Sequence, residues 1–148
     1  FSGHTGIAGG QYLDLSFEKK KKNFKQILNM QKKKTGKLFN FCCYAVGVIA
    51  NKNKKEKLFL SHLGEDIGLL FQLADDFMDV KGTSKLAGKP TKKDKKKGKS
   101  TLISLVGYNK ALNFAEQLKK NILRKLVKRG KKAKDLINIV EFILERKY

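Results

Sequence analysis

Three aspartates interrupt an otherwise apolar stretch, residues 69–80, which has the sequence LLFQLADDFMDV. Residues three and four apart share one face of an α-helix, so Asp75, Asp76 and Asp79 are predicted to form a polar stripe with Gln72. The remaining faces of this helix are apolar, which predicts that it is buried on nearly all sides. Several carboxylates are therefore expected on one side of a core helix.

Such a stripe needs compensating positive charge. Two carboxylates about 6 Å apart repel each other by roughly 3 kcal/mol at an effective dielectric near 20. The stripe is also predicted to lie near the C-terminal end of its helix, where the macrodipole disfavours anions. No Lys or Arg occurs between Leu58 and Val80. Bound Mg2+ is the simplest compensation, because this ion prefers oxygen ligands. The alternative is a solvated helix end whose acids face water.

Two other groups of residues are candidates for chemistry. Lys34 and Thr35 lie in QKKKTGKL, residues 31–38. A lysine there can face a phosphate as a point charge, or it can be one of several exposed lysines. Gln11 and Asp14 follow two glycines and share a helical face, a pattern as consistent with helix packing as with a site. The residues alone leave both alternatives open.

Residues 81–100 are strongly basic and contain nine lysines, three glycines and one proline. Glycine and proline interrupt regular structure, so this segment is predicted to be a flexible loop. Most of its lysines are expected to be solvated. Lys89 and Lys99 differ because each follows a glycine, which lets the chain turn sharply beside a ligand.

Helical periodicity dominates the rest of the chain. A charged linker is predicted at 16–23, a turn at 51–57 and a helix C-cap at Gly130. The helical segments between these breaks are 24–50, 58–80, 101–108, 110–129 and 133–146. The prediction is an all-α fold whose helices are long enough to form a bundle.

Composition narrows the range of functions. The chain has 148 residues and a net charge of +21, from 34 basic and 13 acidic residues, but only three of the basic residues are arginines. Arginine is the favoured residue for bidentate contacts to phosphates and base edges, so specific nucleic-acid recognition is not predicted. Non-specific attraction to RNA or to a membrane surface remains an alternative.

The cellular setting is predicted from the same sequence. No segment is apolar over the length of a membrane span, so no transmembrane helix is expected. Cys42 and Cys43 are adjacent in an apolar helical segment, and we predict that both are reduced core residues of a cytoplasmic protein. The chain starts without a methionine, which predicts that it is a fragment.

Five motifs occur in a fixed order along the chain. They are GGQYLD (9–14), KTG (34–36), FQLADDFMD (71–79), AGKP (87–90) and GKST (98–101). This set resembles the C-terminal half of the trans-isoprenyl diphosphate synthases, the polyprenyl synthetase family, and is most similar to the bacterial farnesyl diphosphate synthases. The resemblance covers essentially the whole chain. It implies that residues 1–148 are a single partial domain, the C-terminal half of an isoprenoid-synthase-type helical bundle around a central cavity.

The resemblance also implies an activity. Members of the family join isopentenyl diphosphate head to tail to an allylic diphosphate, here dimethylallyl or geranyl diphosphate, and release diphosphate. The implied product is farnesyl diphosphate, with geranylgeranyl or longer-chain diphosphates as alternatives. The implied cofactor is Mg2+, with Mn2+ as a substitute, and the implied assembly of the full-length protein is a homodimer.

The implied roles of individual residues follow the motifs. Asp75 corresponds to the main Mg2+ ligand of the second aspartate-rich motif, and Asp76 and Asp79 support it through coordinated waters. The lysines that correspond to those holding the allylic diphosphate are Lys34, Lys89 and Lys99.

The resemblance implies further roles around the allylic carbon. Thr35 and Gln72, together with Lys34, are the implied catalytic residues, because oxygen dipoles can stabilise a transient cation there. Gln11 and Asp14 are expected to organise the cavity wall.

Two positions depart from the family pattern, with Thr83 in place of Asp and Ala87 in place of Leu. The first aspartate-rich motif is absent from the chain, so the isolated 148 residues are expected to be inactive. The rival hypotheses are a basic RNA- or membrane-binding module and a non-catalytic synthase subunit. The intact DDFMD sequence argues against both.

Overall fold

This computed structural model describes residues 1–18, 20–87 and 100–145, and the regular structure within them is entirely helical. The α-helices are α1 (Ile7–Phe17), α2 (Phe24–Gln31), α3 (Lys37–Ile49), α4 (Lys54–Ala87), α5 (Leu102–Val106), α6 (Tyr108–Val127) and α7 (Lys134–Glu145). A π-helical turn, Lys32–Gly36, joins α2 to α3, and a 3-10 turn, Gly130–Ala133, joins α6 to α7. The predicted all-α class is confirmed.

The helix boundaries follow local chemistry. Asn23 caps α2 by accepting a hydrogen bond from the Gln26 backbone, and the Gln26 side chain accepts one from the Asn23 backbone in return. Thr101 and Ser104 form the same reciprocal pair at the start of α5. Such capping boxes satisfy two of the backbone N–H groups that a helix start leaves unpaired. Gly130 has a φ of +68°, so the predicted break after α6 lies at a residue that adopts this conformation without strain.

Helix α4 forms the centre of the packing and contacts α3, α6, α7 and the π-helical turn. Its 34 residues extend for about 51 Å at the usual rise of an α-helix. The buried apolar residues of α4 are Leu63, Ile67, Leu69, Leu70, Leu73, Ala74 and Phe77. Residues from α6 and α7 complete this core, namely Ala111, Ala115, Ile122, Leu126, Val140 and Ile143.

Helix α4 differs from its prediction at the C-terminal end. It continues to Ala87, so the first part of the predicted 81–100 loop is helical. Asp79 therefore lies about two turns before the end of the helix, and the macrodipole acts mainly on the last turn. The predicted dipole penalty on the aspartates is therefore wrong. The remainder of the predicted loop, residues 88–99, lies outside the described residues.

Close approach of two backbones fixes α4 against the π-helical turn. A Cβ added at Gly68 would lie 2.8 Å from the Gly36 Cα and 2.9 Å from the Phe39 Cδ2. Carbon atoms do not approach this closely without displacement of one of the helices. The missing side chain of Gly68 therefore allows the π-helical turn to lie directly on α4.

The cysteine prediction is only partly correct. Cys42 is exposed, whereas Cys43 is half-buried. The buried residues of α3, Asn40 and Gly47, lie seven apart on the face toward α4, and Cys42 lies on the opposite side. Burial raises the pKa of the Cys43 thiol, and the neighbouring Cys42 adds to that rise. Within the described residues, no helix is long and apolar enough to cross a membrane.

Candidate functional site

The site is built around one buried carboxylate, Asp76, which is 8% exposed. Its Oδ2 accepts a hydrogen bond from Gln31 Nε2 at 2.8 Å, and its Oδ1 accepts one from Gln72 Nε2 at 3.0 Å. Thr35 Oγ1 donates to Gln72 Oε1 at 2.6 Å. The residues come from α2, the π-helical turn and α4, so a single polar network joins three elements of the fold.

Asp76 determines the orientation of both glutamine side chains. An ionised carboxylate only accepts hydrogen bonds, so each amide must direct its NH2 group toward Asp76. Gln72 then presents its carbonyl oxygen to Thr35, whose hydroxyl donates. Hydrogen bonds to a charged acceptor are the stronger ones, and two of them hold Asp76 in a fixed rotamer.

The π-helical turn places a cation beside this network. Lys34 Nζ lies 2.5 Å from Asp14 Oδ2, and both side chains are partly buried. A Cβ at Gly10 would collide with the backbone of Lys33 and Lys34, so the glycine allows α1 to lie directly on the turn. Wide helical turns of this kind occur frequently at functional sites. Helix α1 thus supplies the partner that holds Lys34.

These side chains border a small recess of about 40 Å³. Its lining residues are Asp14, Met30, Gln31, Lys34, Gln72, Asp76, Ser100 and Thr101. Ser100 is fixed at this position because its hydroxyl lies 3.0 Å from the Phe17 carbonyl oxygen at the end of α1. The recess is large enough for a few waters or for oxygens of a phosphate group, but too small for a whole metabolite.

The predicted site residues differ in where the structure places them. Asp14, Lys34, Gln72 and Asp76 border the recess, and Thr35 contacts it through Gln72. The residues of the predicted site that the structure does not bring to the recess are Gln11, which is exposed, Asp75, which is half-buried, and Asp79, which is exposed. Lys89 and Lys99 lie outside the described residues, although Lys99 precedes Ser100 in the chain.

The predicted polar stripe on α4 is therefore uneven. Asp76 faces α2 and is buried, whereas Asp75 is half-buried and Asp79 is exposed. Three and four residue spacings spread side chains over an arc of a helix, and α2 covers only part of that arc. The prediction of burial on nearly all sides is correct in the middle of the helix and fails at Asp79 and Val80.

Sequence reasoning did not identify Gln31, which is 3% exposed and bonded to Asp76. The available signal was its spacing. Gln31 precedes Lys34 and Thr35 by three and four positions, which places all three residues on neighbouring parts of one helical face. Ser100 and Thr101 were visible as part of the GKST motif, but only the lysine of that motif was selected.

The donor set of this region suits a hard divalent cation. Carboxylate and amide oxygens are the ligands that Mg2+ prefers, and this ion is usually held by one or two carboxylates together with substrate phosphates and water. Among the described residues, no three acidic, histidine or cysteine side chains lie close enough together to hold an ion by themselves. The arrangement therefore fits an ion that arrives with a phosphate, and it does not form a closed protein cage.

Comparisons with known proteins agree on one family. The polyprenyl synthetase family profile matches residues 3–142. The chain is 34% identical over 145 residues to a dimethylallyltranstransferase of Fischerella ambigua. The alignment covers 97% of this chain and 42% of the relative. It is 32% identical over 143 residues to a geranylgeranyl diphosphate synthase of Cyanophora paradoxa, with coverage of 96% and 48%.

Solved structures give the same result for the fold. The chain superposes on an FPP/GFPP synthase from Zymomonas mobilis with a TM-score of 0.80 and 33% identity, over 96% of this chain and 46% of that one. The chain thus spans less than half the length of these relatives, and over that span it has the isoprenoid synthase fold. The family match extends along nearly the whole chain. The chain belongs to the polyprenyl synthetase family.

Proposed function

We propose that this chain carries the second aspartate-rich motif of a Mg2+-dependent trans-prenyltransferase and forms the C-terminal half of its catalytic domain. The proposed reaction condenses isopentenyl diphosphate with an allylic diphosphate. The carbon–oxygen bond of the allylic diphosphate breaks, a new carbon–carbon bond forms to isopentenyl diphosphate, and a proton is lost. The observation that supports this proposal is the juxtaposition of a lysine, Lys34, with a buried, doubly hydrogen-bonded carboxylate, Asp76, at one recess.

The acidic side chains explain the need for a cation. Asp14 and Asp76 line the recess beside Lys34, and Asp75 is next to Asp76 on α4. A diphosphate is itself an anion, so these carboxylates would oppose its binding. Bound Mg2+ would neutralise the negative charge that develops on the departing diphosphate. Asp75 is the residue we assign as the direct ligand, with Asp76 and Asp79 acting through waters.

Lys34 can bind the diphosphate without leaving Asp14. A lysine ammonium has three donors, so one hydrogen bond to Asp14 leaves two for phosphate oxygens. The carboxylate then fixes the direction of the ammonium before the substrate arrives, which is the preorganisation that electrostatic catalysis requires. Lys89 and Lys99 are assigned to the same diphosphate, from the family pattern and from the position of Lys99 next to Ser100.

Thr35 and Gln72 are assigned to the allylic end of the substrate. Their hydroxyl and carbonyl oxygens are within 2.6 Å of each other, so they present two oxygen dipoles at one point. Oxygen dipoles stabilise a cation, and their mutual hydrogen bond keeps them oriented. Gln11 and Asp14 are assigned to the cavity wall, and for Asp14 the contact to Lys34 supports this role.

We propose farnesyl diphosphate as the product. One relative from Micrococcus luteus, 35% identical over 106 residues, is named farnesyl diphosphate synthase, and it supports this length. The relative from Cyanophora paradoxa supports geranylgeranyl diphosphate instead. Chromatography of the dephosphorylated products distinguishes the two, because a fifteen-carbon alcohol elutes separately from a twenty-carbon one.

We also propose that the full-length protein is a homodimer. Large apolar side chains are exposed on α1 and α3, including Tyr12, Leu15, Phe41 and Ile49. Exposed apolar surface of this kind marks an interface or the contact with another part of the same protein. Light scattering of the full-length protein at micromolar concentration is expected to give the mass of two chains, and the mass of one chain would contradict the dimer.

Turnover tests the proposed activity directly. The full-length protein that contains these residues is expected to convert isopentenyl and geranyl diphosphate only when Mg2+ is present. Asp75→Ala is expected to lower kcat by roughly 10²- to 10³-fold, the loss typical of a group that stabilises transition-state charge. Asp66→Ala, on the same helix but outside the recess, is the matched control and is expected to retain activity.

Two outcomes would contradict the proposal. Full turnover by the Asp75→Ala protein would contradict the assignment of Asp75 as the metal ligand. Turnover in the presence of EDTA would contradict the dependence on a metal ion. The isolated 148 residues are expected to be inactive, because the chain spans under half the length of its relatives and carries one acidic motif. Labelled product from the isolated chain would contradict that expectation.

A further inference from the structure

Within the part of the chain that the structure describes, the Gln31 side chain has one polar atom without a hydrogen-bond partner. Its Nε2 donates to Asp76 across 45 residues of sequence, and the side chain is 3% exposed. The other polar atom, Oε1, is buried and has no hydrogen-bond partner among the residues that the structure describes. A buried carbonyl in this state costs about 1–3 kcal/mol, and native proteins keep very few of them.

Rotation of the amide cannot remove this deficit. A flipped Gln31 would point its carbonyl oxygen at the Asp76 carboxylate, so two acceptors would face each other at hydrogen-bonding distance. Gln72 already has its own partners, since its NH2 group serves Asp76 and its carbonyl accepts from Thr35. The network therefore converges on Asp76 from two sides. One side ends at the Thr35 hydroxyl, and the other ends at an acceptor that needs a donor.

The recess offers space for such a donor. Gln31 is one of its lining residues, and its volume of about 40 Å³ exceeds the roughly 10–15 Å³ that a water requires. The lining also includes Ser100, Thr101 and Asp14, which are able to hold a water by further hydrogen bonds. No donor among the described residues reaches Gln31 Oε1, which leaves water as the donor that fits both the space and the chemistry.

We propose that Gln31 is a positioning residue for Asp76, and that its carbonyl oxygen accepts a hydrogen bond from a water in the recess. This water connects the Asp76 network to the metal–diphosphate group, a step that rests on the proposed function. Gln31 contacts no reacting atom. It donates a hydrogen bond to one oxygen of Asp76, and Gln72 donates to the other. The water then connects the fixed amide of Gln31 to the bound diphosphate by hydrogen bonds.

Binding of Mn2+ and inorganic pyrophosphate by the full-length protein tests this role without turnover. Gln31→Met, which preserves volume but removes both hydrogen bonds, is expected to weaken binding about five- to tenfold in calorimetric titrations. Gln117→Met, an exposed glutamine on α6, is the matched control and is expected to bind like wild type. Unchanged affinity in Gln31→Met, with affinity lost in Asp75→Ala, overturns this inference and leaves the proposed function standing.

A double-mutant cycle separates positioning from general stabilisation. If Gln31 acts through Asp76, then Gln31→Met is expected to have no further effect on binding in an Asp76→Ala background. Additive losses in the double variant overturn the inference. Wild-type protein that fails to bind Mn2+ and pyrophosphate contradicts the proposed function itself.

A crystal structure of the wild-type protein tests the water independently of any variant. An ordered water within about 2.7–3.2 Å of Gln31 Oε1 is expected. A dry recess, or a protein donor in contact with this oxygen, overturns the inference even if Gln31→Met does not fold.

Discussion

Two concave regions beside helix α4 differ in their volume and in the environment of their charged side chains. The recess at Asp76 has a volume of about 40 Å³, whereas an open groove between α4 and α6 has about 1590 Å³. In the groove, Lys125 pairs with Asp66 at 2.7 Å, and Arg129 pairs with Glu56 at 2.8 Å. Each of these charges is partly solvated and, among the described residues, pairs with one counter-charge. In the recess, one buried carboxylate receives donors from two helices.

The comparison shows that chemistry identifies the site better than volume does. Solvated ion pairs contribute little and constrain little, so the groove needs no ligand to explain its charges. A buried carboxylate with two fixed amides is expensive to build and is stable only when all of its partners are in place. The smaller region therefore carries the stronger signal of function.

Removal of the same residue type from each region gives the largest expected contrast. Asp76→Ala leaves the buried amide of Gln31 and the half-buried amide of Gln72 without their acceptor, so we expect a loss of about 3 kcal/mol in the free energy of unfolding. Asp66→Ala removes a partly solvated ion pair and is expected to cost under about 1 kcal/mol. Urea denaturation followed by circular dichroism measures both. Equal losses of unfolding free energy in the two variants would contradict the stated difference between the recess and the groove.

A methyl group added where α4 meets the π-helical turn is expected to have the next largest effect. Gly68→Ala would place its Cβ within 2.9 Å of both Gly36 and Phe39, so we expect the free energy of unfolding to fall by about 1–3 kcal/mol. Gly3→Ala is the control, because nothing lies within 4 Å of its added Cβ. Denaturation midpoints compare the two variants. An unchanged midpoint for Gly68→Ala would mean that α4 and the π-helical turn move apart at little cost in free energy.

The hydroxyl at the end of the network is expected to contribute less. Thr35→Val keeps the shape of the side chain but removes the donor to Gln72 Oε1, and we expect a loss of about 1 kcal/mol. Thr5→Val, at an exposed position, is expected to change nothing. Thermal unfolding of the two variants provides the measurement, and an unchanged midpoint for Thr35→Val would remove Thr35 from the network.

The smallest effect is expected in the groove. Arg129 pairs with Glu56 and lies 3.9 Å from the centroid of the Phe59 ring, yet it is substantially exposed. Arg129→Ala is therefore expected to lower the free energy of unfolding by about 0.5–1 kcal/mol. The loss from the ion pair should shrink as the salt concentration rises. A loss above that of Asp76→Ala would reverse the comparison between the two regions.

Features that depend on residues close together in the sequence could be predicted, and features that depend on distant residues could not. Periodicity identifies the helices, and the aspartate spacing identifies the functional stretch, because both depend on neighbours within a turn or two. Burial depends on distant elements. Asp76 is buried because α2 covers it, and Cys42 is exposed because α3 presents another face to α4.

Partners distant in sequence are the part that the sequence does not reveal. Gln31 and Asp76 are 45 residues apart, and Lys34 and Asp14 are 20 apart. Residue types suggest that each could bind something, but only the packing of α1 on the π-helical turn and of α2 against α4 selects which pairs meet. At the end of α4 the local signal itself was misleading, since the glycines and the proline of 81–100 predicted a loop where the helix in fact continues to Ala87.

The π-helical turn makes this chain sensitive to length as well as to residue type. A π turn contains more residues than an α turn, so loss of one residue within 32–36 would allow regular α-helix from α2 into α3. Because the π turn already takes up one extra residue, α3 would keep roughly the same face toward α4 after the deletion. The wide spacing within the turn itself would be lost, so Lys34 and Thr35 could not both keep their present partners. In a library of variants, frame-preserving codon deletions in this segment should therefore be depleted more strongly than most substitutions there.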